Sequence, residues 1–140
     1  MIPLCSSEVP FPNEGRRREG KPEVVPKAMT LADMARVKEE YKKAAERAKR
    51  VGFDGIEMHC GYGYLLDSFL RDGINKRTDN YGGSIENRAR FPLEVLDVLI
   101  NEFGAKRLGV KLSLRNDYNG MKESDPDSVL AYFIDRLNER

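Results

Sequence analysis

His59 is the only histidine of the chain, and it stands just ahead of two tyrosines in the stretch FDGIEMHCGYGY, residues 53–64. An imidazole can donate a hydrogen bond to a carbonyl oxygen or move a proton near neutral pH. A phenol of ordinary pKa ~10 keeps its proton there and can deliver it to a carbanion as it forms. The spacing His59-x-x-Tyr62-x-Tyr64 brings all three groups into one glycine-rich loop, where Gly61 and Gly63 let the backbone approach a ligand closely. From the residues alone, a catalytic role for His59 and a role as a satisfied core histidine stand level. Lys111, in LGVKLS, is the other candidate. An ammonium between apolar residues of a buried strand is costly unless it meets a ligand or a carboxylate, and the sequence leaves both open. Asp54 and Glu57 receive no catalytic role. Arg77, Asp79, Tyr81, Asn87, Arg88 and Arg90 read as a structural set that pins a loop and a helix entry to each other.

The elements that must position these groups follow from the hydrophobic pattern. Residues 1–29 hold five of the seven prolines and a charged run, which predicts an irregular arm rather than a core strand or regular helix. Arg16, Arg17 and Arg18, set among glutamates, read as a solvated turn rather than a nucleic-acid contact. From Thr30, apolar residues recur at spacings of three and four through Val51, predicting an amphipathic helix with a capping box at Thr30 and Asp33 and a left-handed cap at Gly52. A strand is expected over Phe53–His59, and a short helix over Leu65–Leu70. Ser84 can cap a further helix, with a kink or a looser segment from Ile85 to Phe91 because Pro92 removes a helical hydrogen bond. Leu108–Leu112 reads as the second strand. Asp125-Pro126 opens a last helix with Val129, Leu130, Phe133, Ile134 and Leu137 inward.

The formal charge of +1 provides no global field to recruit nucleic acid or an anionic membrane surface, and no stretch is long and apolar enough to span a bilayer. Cys5 and Cys60 give neither a metal spacing nor a disulfide framework, which suits a reducing, cytoplasmic setting. No basic segment followed by an apolar core is found at the start, so no signal peptide is expected. No metal site is predicted.

Helices alternating with strands are the grammar of parallel α/β folds. Two parallel strands leave two open edges, so residues 30–140 are expected to be a segment of a larger barrel or sheet, or to complete their sheet with another chain.

The text GFDGIEMH, then GYLLDSFLRDGINKRTDNYGGSIENRARFPLEVLDVL, then RLGVKLS, resembles the old yellow enzyme family, the flavin mononucleotide (FMN)-dependent ene-reductases and NADH:flavin oxidoreductases. The resemblance implies an eight-stranded (β/α)8 TIM barrel, of which this chain would be the middle, around the fourth and fifth strands. It implies an oxidoreductase that passes hydride from NAD(P)H through FMN to an activated alkene, commonly an α,β-unsaturated carbonyl. His59 matches the histidine that hydrogen-bonds the substrate carbonyl, and Tyr64 the tyrosine that protonates the α-carbon. Lys111 falls where the family has arginine or lysine against the pyrimidine end of the flavin. Tyr62 occupies the second substrate-anchoring position, ordinarily asparagine or histidine. The remaining barrel strands, from the same or another chain, would have to supply most of the cofactor contacts. The alternative is a truncated, non-catalytic barrel fragment serving as a folding or association module.

Overall fold

The computed structural model describes residues 2–10, 24–116 and 118–140. Thr30 opens helix α1, Leu31–Arg50. Its hydroxyl accepts from the Asp33 N–H at 3.1 Å while the Asp33 carboxylate accepts from the Thr30 N–H at 3.1 Å, the reciprocal box that the sequence predicts. Gly52, at φ 87°, turns the chain out of the helix. Met34, Val37 and Ala45 of the apolar stripe are buried, whereas Leu31 and Val51 at its two ends are exposed. A helix of 20 residues outruns strands of five, roughly 30 Å against 17 Å, so its ends overhang the sheet.

Strand β3, Ile56–Cys60, pairs in parallel with β4, Leu108–Leu112, in a register that sets His59 opposite Lys111. β3 begins later than the sequence suggests. Phe53 is 63% exposed, and the entry is made by Gly55, where a Cβ would come within 2.6 Å of the Arg107 carbonyl oxygen. Met58 and Cys60 point into the helix layer and are buried, while Glu57 and His59 face the other way. Helix α2, Leu65–Leu70, follows the glycine loop.

Helix α3, Ile85–Phe103, runs unbroken through Pro92, so the looser segment expected from Ile85 to Phe91 is not found. The turns before the proline are held from outside. The Ser84 hydroxyl accepts from the Asn87 N–H at 3.3 Å, and Arg88 donates to the Leu70 carbonyl and, at 2.6 Å, to Glu123. Phe91 is fully buried with its ring 4.7 Å from that of Phe69. These contacts together offset a helical interruption that costs about 3 kcal/mol in isolation. Helix α4, Pro126–Asn138, buries Val129 and Phe133. Ile134, expected inward, is 41% exposed, because one residue past Phe133 lies about 100° round the helix.

The core lies between the β3/β4 sheet and helices α1, α2, α3 and α4, with Met58, Cys60, Leu66, Phe69, Val95 and Phe133 at its centre. The arm expected to be irregular contains two short strands, β1 (Leu4–Cys5) and β2 (Lys27–Ala28), paired in parallel. Strands of two residues carry no alternation that a sequence could display. The arginine run at 16–18 lies outside the described residues. Among the described residues no helix is long and apolar enough to cross a membrane.

Candidate functional site

Parallel pairing sets the carboxyl ends of β3 and β4 side by side, and the four residues singled out by the sequence converge there. His59 and Lys111 are register partners on the exposed face of the sheet. Tyr62 stacks on the His59 imidazole, with ring centroids 6.2 Å apart and planes 6° from parallel. Tyr64 meets the same imidazole edge to face at 5.1 Å. The Lys111 ammonium lies 5.5 Å from the centroid of the Tyr62 ring, within the range of a cation–π contact.

The environment of Lys111 differs from the sequence expectation. Strand alternation puts its side chain on the exposed face rather than in the core, so the cost of burial does not arise, and among the described residues it forms no ion pair. His59 is likewise exposed and is not a core histidine. Cys60, one residue on, points the opposite way. Burial pushes its thiol well up, the nearby Asp67 carboxylate adds to this, and Arg71 opposes it.

The loop that carries the tyrosines has an unusual backbone. Tyr62 sits at φ 54° and Gly63 at φ 77°, both left-handed. Glycine adopts this freely; a tyrosine does so only when held. The Tyr62 N–H donates to the Ser113 hydroxyl at 2.5 Å. At Gly61 a Cβ would come within 2.8 Å of that same oxygen, so the loop and the residue just past β4 are in close contact. Tyr64, 59% exposed, then starts α2 as its N-terminal cap.

Asp67, Arg71 and Ser113 complete this arrangement and were not among the residues singled out from sequence. Asp67 accepts from the Gly63 N–H at 2.9 Å, and Arg71 donates to both of its carboxylate oxygens, at 2.8 and 3.3 Å. Arg71 also donates to the carbonyls of Ser113 at 2.5 Å and Leu114 at 2.6 Å. Both side chains are buried, at 0% and 1% exposure. Their signal was present as an Asp and an Arg four apart in the otherwise apolar LLDSFLR. Nothing in the sequence marks Ser113.

The polar set at 77–90 pins loop to helix as expected. Arg77 pairs with Asp79 at 2.6 Å, and Arg90 donates to the Asn80 carbonyl at 2.8 Å. Arg77 also reaches the carbonyls of Ser6, at 3.0 Å, and Met29, at 2.7 Å, tying in the amino-terminal arm. A groove of about 650 Å³, lined by Leu4, Val37, Tyr41 and Leu65, lies beside α1 and includes none of the four site residues.

The sequence profile of the NADH:flavin oxidoreductase / NADH oxidase family matches residues 5–140. A protein of Leishmania infantum named "probable flavin mononucleotide-dependent alkene reductase" is 45% identical over 125 residues, covering 88% of this chain and 34% of its own length. The old yellow enzyme homologue from Zymomonas mobilis superposes with a TM-score of 0.91 at 36% identity, over 99% of this chain and 39% of the other. Morphinone reductase, solved in complex with tetrahydroNAD, gives 0.89 at 36% identity over 99% and 40%. The chain thus spans about a third of the length of the curated relatives that it matches.

Proposed function

This chain belongs to the NADH:flavin oxidoreductase / NADH oxidase family of flavin-dependent oxidoreductases, and on that premise we propose that it carries the substrate-facing wall of an FMN-dependent ene-reductase. It would correspond to the fourth and fifth strands of a (β/α)8 barrel. The carrying observation is the convergence of His59, Tyr62, Tyr64 and Lys111 on one open face at the carboxyl ends of adjacent parallel strands, where barrel enzymes place their chemistry.

The residues present fit one edge of the cofactor. Lys111 offers an exposed ammonium with no carboxylate partner among the described residues, and Gly109, two residues earlier on the same face, adds no side chain to it. Lys111 would therefore hold the pyrimidine edge of FMN, while the grip on the phosphate falls to the remaining strands, in the same or another chain. The chemistry that bound flavin supplies is hydride transfer from NAD(P)H to the β-carbon of an activated alkene. His59 donates a hydrogen bond to the carbonyl oxygen of the substrate, stabilising the charge that develops there. Tyr64, exposed and edge-on to His59, delivers a proton to the α-carbon. Tyr62 takes the second anchoring position, and its ring against His59 leaves a narrower opening for the carbonyl group. The substrates are small enone-type molecules. The buried, free thiols of Cys5 and Cys60 support a cytoplasmic setting.

The test has two parts. In the complete enzyme, Lys111→Ala should weaken FMN binding at least about tenfold, read from the visible flavin spectrum, and an unchanged affinity removes Lys111 from the cofactor edge. In the complete enzyme, Tyr64→Phe should slow reoxidation of the flavin by an enone at least about tenfold, while flavin reduction by NAD(P)H stays within about twofold. Equal loss in both half-reactions would remove Tyr64 from its role.

A further inference from the structure

We propose that Asp67 and Arg71 are the positioning residues of this site: a buried clamp that fixes the tyrosine-bearing loop against the strand end carrying Lys111. The inference rests on the function proposed above for what the site does, but its geometry is independent of any flavin.

The site is built from two separate pieces of chain. Tyr62 and Tyr64 belong to the loop after β3, and Lys111 to β4. The Tyr62 N–H donates to the Ser113 hydroxyl, and a rotatable hydroxyl is a poor determinant of distance. The clamp supplies what that bond lacks. One Asp67 oxygen takes the N–H of Gly63, between the two tyrosines. The guanidinium of Arg71 holds that carboxylate in a two-pronged grip and turns its remaining donors onto the carbonyls of Ser113 and Leu114, with a longer contact of 3.5 Å to Met121. The fork is planar and rigid, so one guanidinium spaces the carboxylate that holds Gly63 from the carbonyls of Ser113 and Leu114.

This accounts for two features that packing alone leaves unexplained. An ion pair at 0% and 1% exposure is costly, and apolar residues of similar volume would fill the space as well. The left-handed backbone at Tyr62 needs anchoring on both sides. Ser113 holds it at Tyr62 itself, and Asp67 at the next residue. Lysine in place of Arg71 would keep the charge but could not reach Asp67, Ser113 and Leu114 together.

Because His59 is the sole histidine, its imidazole protons form a unique reporter of the rings packed on it. In the native chain the Gly63 amide should exchange with solvent about a hundredfold or more slowly than an open loop amide, although it lies in no helix or strand. Arg71→Lys and Asp67→Asn should move the His59 ring resonances toward those of a free histidine and weaken the nuclear Overhauser contacts to Tyr64, with far-ultraviolet circular dichroism unchanged. A merely structural pair would lower the melting temperature and leave the folded-state His59 resonances in place, which overturns the clamp. Should both variants unfold, the Gly63 exchange rate in the native chain decides alone, and fast exchange refutes it. If these signatures appear while Tyr64→Phe in the complete enzyme slows both half-reactions equally, the clamp stands and the proposed function falls.

Discussion

Tyr62 is the residue at which conformation and chemistry pull against each other. Its φ of 54° is a region that asparagine enters with little penalty and tyrosine does not. Against this stand its ring contacts with His59 and Lys111, each of about 0.5–1 kcal/mol at an exposed site. The strain of a non-glycine residue held left-handed is about 1–3 kcal/mol. Tyr62→Asn should therefore melt at or slightly above the native chain in a thermal scan. A fall of several degrees would show that the ring contacts outweigh the backbone strain. The left-handed turn was not legible from sequence, because a tyrosine there gives no hint of positive φ. His59, Tyr64 and Lys111 could be picked out because rare side-chain types stood beside glycines or within an apolar run. Asp67 and Arg71 were hidden because an acid and a base four apart on a helix look like any surface pair until their burial is known.

Among the elements, α1 was the most readable, since its stripe and both caps are local signals. Its first turn also gives a pH prediction. Hydrogen bonds from the Thr30 backbone and hydroxyl, with Lys27 nearby, hold the Asp33 carboxyl down to about 2. A carboxyl depressed in the folded state stabilises the fold above its ordinary value near 4 and ceases to do so as pH falls through about 2. Acid titration followed by the Asp33 side-chain carbon resonance should find this midpoint, and Thr30→Ala should return it toward the ordinary carboxylate range. An unchanged midpoint in Thr30→Ala would assign the shift to the backbone N–H of residue 30, which alanine keeps, and to Lys27. α3 was read less well because Pro92 is a strong local signal overruled by the contacts of Arg88 with Glu123 and of Phe91 with Phe69, partners distant in sequence. β1 and β2 are too short for pattern, and their pairing depends on partners more than twenty residues away.

At the scale of the whole molecule, two helix-covered parallel strands were legible as part of something larger, because parallel strands need neighbours on both sides. The core beneath them has a further consequence at high pH. Burial raises the Cys60 thiol, and Tyr41, raised by burial and then by Cys60, shares its surroundings. Groups whose ionisation is raised by folding stabilise the native state fully below their unfolded values, and that contribution is lost as pH rises past them. Resistance to urea should thus decline above about pH 9, and Cys60→Ala should flatten that part of the profile. A maleimide should label Cys60 only at the rate of global unfolding. Rapid labelling of the folded chain at neutral pH would show that the core opens locally beneath the site.

The register of β3 on β4 divides the sheet by the parity of its residue numbers. Positions 56, 58, 60, 108, 110 and 112 face the helices and hold the fold together, while 57, 59, 109 and 111 lie on the open face. Mutation can therefore sample new chemistry at the odd positions without disturbing the even ones, so catalytic repertoire and stability can diversify separately over the same ten residues. Evolutionary change on this wall is limited by the loop at Tyr62, where backbone and side chain cannot be varied independently.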